Sequence, residues 1–80
     1  MKCNQIDNRI EMLKNINESA EYEMREIRKN IAELLTMEDY DIVDCMLEYA
    51  KEFSKAYDER KRNAREIKML ESIKREIEQG

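Results

Sequence analysis

Five carboxylates crowd one short stretch of this 80-residue chain: Glu38, Asp39, Asp41, Asp44 and Glu48. Asp41, Asp44 and Glu48 are spaced three and four apart, which places them on one helical face, and an oxygen-only cluster of that kind suits Mg²⁺. Glu23 and Glu26 form a second pair, three apart, in the preceding segment. A plainer reading competes: acids in the first turns of a helix complement its dipole and stay solvated. Other catalytic chemistry has little to be built from. The chain has no histidine, so no Ser–His or Cys–His nucleophile pair can form. Its one glycine is Gly80, so no glycine-rich loop cradles a phosphate. The expectation is a non-enzyme that uses no cofactor and no metal.

A Glu-x-x-Glu pair on one helix and an acid-x-x-Asp pair on the next is similar to the all-α nucleotide pyrophosphohydrolases of the MazG type. The resemblance covers Glu23, Glu26, Asp41 and Asp44 only. It implies paired carboxylates holding magnesium against a triphosphate. Two positions depart from the family pattern: Asp41 stands where a glutamate is usual, and the heptad register below turns Glu26 outward.

The last third of the chain offers a different chemistry. Arg60, Lys61, Arg62 and Arg65 could contact phosphates. Acids alternate with them (Asp58, Glu59 and Glu66), and no aromatic residue follows Tyr57 to stack on a base. A helical hairpin that dimerises is similar in architecture to plasmid Rop-type RNA-binding bundles, but no binding motif carries over. Tyr49, Phe53 and Tyr57 lie four apart as an aromatic ladder, either a partner-binding patch or the edge of a core.

The elements that carry these residues follow from what the sequence lacks. It has no proline and no internal glycine, and 42% of it is charged, which is the composition of long amphipathic helices. No apolar run approaches the ~18 residues of a membrane span, no signal peptide is read, and the chain is expected to be cytoplasmic. Cys3 and Cys45 read as two free thiols. From Ile6 to Leu34 apolar residues recur at steps of four and three. Ile10, Asn17, Met24 and Ile31 occupy a, and Ile6, Leu13, Ala20, Ile27 and Leu34 occupy d. Asn17 interrupts the seam, either as a register device or by turning to water while Ile16 takes its place.

Thr36-Met37-Glu38-Asp39 looks like a capping box that restarts the helix. The expected fold is therefore all-α: helix 1 over about 4–35, a turn at about 36–38, and an antiparallel helix 2 over about 39–79. The apolar residues of helix 2 read as Val43, Met46/Leu47, Ala50, Phe53 and Tyr57, then Ala64, Ile67, Leu70, Ile73 and Ile77. Their phase drifts near 58–63, where the helix either bends or continues; continuity is favoured, since no breaker is present. With the turn at 36–38, Leu70, Ile73 and Ile77 overhang the end of helix 1. A domain this small buries only about 60–65% of its unfolded surface, so a self-associating bundle is expected, a homodimer that also meets another protein. The oligomer- or partner-binding residues would be Ile10, Leu13, Asn17, Met24, Ile27 and Ile31 along the seam, Tyr49, Phe53 and Tyr57 on the ladder, and Leu70, Ile73 and Ile77 at the overhang. Function would be that of a small helical interaction or regulatory protein, with nucleic-acid binding as the alternative.

Overall fold

The computed structural model describes residues 3–38 and 42–79. Two helices, α1 (Cys3–Leu34) and α2 (Ile42–Gln79), pack antiparallel as a hairpin, a rod of 63 × 14 × 13 Å. α2 is continuous through 58–63. With neither glycine nor proline in that stretch, nothing removes a backbone donor or relaxes the chain.

In α1 the expected heptad holds. Ile10, Leu13, Ala20 and Ile27 are buried, and Ile6, Met24, Ile31 and Leu34 are half-buried along the same stripe. Asn17 keeps its inward place: its amide accepts a hydrogen bond from Asn63 Nδ2 at 3.2 Å, so the reading that turned it to water fails. That pair sets the facing register. Stepping away from it in heptads, Ile10 lies opposite Leu70, Leu13 opposite Ile67, Ala20 opposite Arg60, Met24 opposite Ala56, and Ile27 opposite Phe53.

The phase of α2 differs from the expected one. Its inward positions are Met46, Phe53, Arg60, Ile67 and Lys74 at a, and Ile42, Tyr49, Ala56, Asn63, Leu70 and Ile77 at d, an unbroken heptad without drift. Ala56, not Tyr57, is the buried residue of that turn, and Asn63, not Ala64, lies at the seam. Val43 and Leu47 are 58% and 56% exposed.

The turn is built differently as well. The Thr36 hydroxyl donates to the Glu33 carbonyl at 2.7 Å, so Thr36 finishes α1 and does not cap α2. Backbone bonds from Thr36 to Glu33 and from Met37 to Leu34 tighten that last turn, satisfying orphan carbonyls without a glycine. The described part of α2 runs from Ile42, and the expected start at 39 lies outside the described residues. Moving the midpoint of the hairpin by a few residues moves every facing position by twice as many. Helix 1 therefore reaches much further along helix 2 than a turn at 36–38 allows. Lys74 meets Asp7 at 2.8 Å and Leu70 is half-buried, so the expected overhang does not form. Ile73 and Ile77 still remain 40% exposed.

Candidate interaction surface

The seam is apolar toward the turn, polar in the middle, and admits Lys74 near its open end. Asn63 donates to Asn17, and Asn17 Nδ2 donates in turn to the Arg60 carbonyl at 3.3 Å, using that oxygen's second lone pair. Arg60 occupies an inward position but does not bury its charge. Its stem passes the small Ala20, and its guanidinium reaches Glu21 (Nη2 at 2.8 Å, Nε at 2.9 Å). Two heptads on, Lys74 does the same with Asp7. A third cross-helix pair joins Arg9 Nε to Glu66 at 2.7 Å on the other side of the seam.

These contacts shift the groups that make them. The hydrogen bond from Arg9, aided by its charge, holds the Glu66 carboxyl below the usual carboxylate range against a smaller opposing effect of burial. The same bond raises Arg9. Hydrogen bonding to Asp7, reinforced by its charge and that of Glu78, raises Lys74. Sequence reasoning missed all three ion pairs. The available signal was that Arg60 and Lys74 fall on a seven-residue repeat with the apolar seam.

The expected binding residues divide between two places. Within the seam lie Ile10, Leu13, Asn17, Met24, Ile27 and Ile31 of α1, with Tyr49, Phe53 and Leu70 of α2. The aromatic ladder is thereby split: Tyr57 stands 44% exposed outside the seam, its ring 5.6 Å from the Lys61 ammonium. Beside it on α2 runs a second apolar stripe, Val43, Leu47, Ala50, Tyr57 and Ala64, all exposed. It lies one residue beyond the seam positions, a rotation of about 100° around the helix.

The other candidates scatter. Lys61 and Arg65, four apart, share an exposed face of α2, while Arg60 turns toward the seam and Arg62 stands further round the helix. Arg60 instead joins Arg25 and Arg28 in a shallow groove whose other lining residues are Glu21 and Met24. Of the carboxylates, Asp41 lies outside the described residues. Asp44, at the turn end, is about ten residues in register from Glu26, some 15 Å along the helix axis. Glu26 and Glu48 lie near Lys29 and Lys51 instead, at 3.8 and 3.9 Å. Among the described residues no group of three or more Cys, Asp or Glu side chains is placed to hold a metal ion, so the likeness to the pyrophosphohydrolases rests on sequence spacing alone. Cys3 and Cys45 are free and sit toward opposite ends of the rod. No described helix is long and apolar enough to cross a membrane. No protein-family model, no curated protein and no solved structure matches this chain.

Proposed function

We propose that this is a small, non-enzymatic helical interaction protein that works as a self-associated bundle and presents its outer helical faces to a second macromolecule as a regulator or adaptor. One observation carries the reading. The hairpin exposes 6758 Å², whereas a compact folded monomer of its 9.7 kDa exposes about 5,100 Å² by the usual scaling of surface with mass. The excess arises because, among the described residues, only Ile10, Leu13, Ala20, Ile27 and Ala56 are buried, while Val43, Leu47, Tyr57 and Met69 stay in water. A two-helix rod has one seam, and each helix keeps most of its circumference wet. Association removes apolar surface that a single hairpin has no means to cover. The test is helix content by circular dichroism over a dilution series from millimolar to nanomolar protein. A melting temperature that falls with dilution is expected, and a concentration-independent melting temperature would overturn the proposal.

The groove of Arg25, Arg28 and Arg60 supports a second reading, a contact with a phosphate backbone. Three arginines there face one carboxylate, Glu21, which Arg60 already engages. Retention of RNA or DNA falling steeply with salt, and weakened by Arg28→Glu, would favour it. Retention unchanged by that substitution would remove it.

A further inference from the structure

We infer that the second stripe of α2 is the dimer seam, and that it packs antiparallel on the same stripe of a second copy of this chain. This rests on the self-association reading and adds the face, the partner and the sense. The stripe, Val43, Leu47, Ala50, Ser54 and Tyr57, repeats at steps of four and three, as a helix-packing seam requires. It stands about 100° from the seam that holds α1, close to the angle between the two neighbours of a helix in a four-helix bundle. Ala50 and Ser54 are small and let two helix backbones approach, while Leu47 and Tyr57 supply bulk on either side.

Charge fixes the sense. The positions flanking the stripe on its outer side are Asp44, Lys51, Asp58 and Arg65, seven apart and alternating in sign. All four are exposed, and among the described residues Asp44, Asp58 and Arg65 make no ion pair within the hairpin. A parallel, in-register partner would set this row beside the other copy's inner flank, the line of Met46 and Phe53, which offers neither Lys51 nor Asp58 an opposite charge. An antiparallel partner, with its two-fold axis near Ser54, sets Lys51 against Asp58 of the other copy and Asp44 against Arg65, each pair occurring twice. Area allows this assignment: the surface excess of each hairpin is larger than the ~800 Å² that each partner contributes to a standard two-protein interface. The matching side of α1 carries Arg25 and Arg28, so α2 makes the contact.

The experiment is a charge-swap cycle read by sedimentation equilibrium at low ionic strength on the full chain, with helix content followed in parallel. Lys51→Glu and Asp58→Lys are each expected to raise the dimer dissociation constant roughly 3- to 30-fold, from two exposed ion pairs lost per dimer. The double variant is expected to restore it, since each new glutamate then faces a new lysine. Ser54→Cys in a Cys3→Ser/Cys45→Ser background should give a disulfide-linked dimer on mild oxidation, and Lys14→Cys in the same background should not. A parent that is dimeric but shows no coupling between positions 51 and 58, and no Ser54→Cys cross-link, overturns this seam and leaves self-association standing. A monomeric parent with full helix content overturns both and leaves the stripe to a different partner.

Discussion

α1 and α2 meet across one seam, yet they bring opposite sequences to it. The inward line of α1 is aliphatic apart from Asn17, with Cys3 at its start, and its outer faces are mostly charged. The inward line of α2 admits Arg60, Asn63 and Lys74, and the apolar residues that would have made it uniform stand one position further round, in water. The same chain thus contains a helix satisfied by one neighbour and a helix with a face left over. Helix content depends on both, but among the described residues it is α2 that carries a continuous exposed apolar stripe for a further contact to bury.

Substitutions that separate the two helices' roles should differ most. Leu13 is 2% exposed, and Leu13→Ala should cost about 2–5 kcal/mol in urea unfolding at any protein concentration, enough to leave a hairpin this small largely unfolded. Leu47→Ala, by contrast, should cost no more than about 0.5 kcal/mol at protein concentrations too low for association, and more once the protein associates. Equal losses at the two sites under dilute conditions would erase the distinction between the helices.

A smaller effect belongs to the polar centre that both helices share. Asn17→Leu leaves the Asn63 amide without its partner and should destabilise by about 1–3 kcal/mol. Asn17→Leu with Asn63→Leu should recover that loss or exceed it while relaxing the register, which a mixture of assembled masses would reveal. If the double variant kept a single mass and a single register, the pair would be a packing detail with no say in alignment.

The smallest effect is electrostatic. Glu66 titrates below its ordinary range in the folded chain, so the stabilisation from its pair with Arg9 is fully present above the unfolded carboxylate value and is lost as pH falls through the folded one. The melting-temperature gap between the parent and Glu66→Gln should therefore be present at neutral pH and close as the pH falls below the ordinary carboxylate range. Lys74 is raised, so its contribution is complete below the ordinary lysine value and is lost only as pH rises through the higher folded one. A Glu66→Gln gap that persists in acid would assign the effect to packing.

Much of this architecture was legible in the residues. Ile6 through Leu34 step by four and three, and apart from Ile16 beside Asn17 no second apolar line competes, so the inward face of α1 could be read without its partner. α2 could not be read in that way. Val43, Leu47 and Tyr57 are as apolar as Met46, Tyr49 and Phe53, and only the facing helix decides which line turns inward. Arg60 and Lys74 hid the true line, because a long cation reads as surface even when its stem crosses a seam. The overhang failed for a geometric reason: Thr36 closes α1 rather than opening α2, and the turn's position is doubled in every facing pair. The metal and phosphate candidates were matched on spacing along one helix, which fixes a face but not the distance to residues on the other.

Sedimentation equilibrium of the parent chain beside Leu47→Glu tests most directly whether α2 carries an unfilled interface. Leu47 is 56% exposed within the hairpin, so its substitution leaves the α1 seam intact. The parent should sediment at twice 9.7 kDa, and Leu47→Glu should shift it to the single-chain mass at the same loading. A parent at 9.7 kDa with full helix content across the micromolar range, or a dimer indifferent to Leu47→Glu, would contradict it.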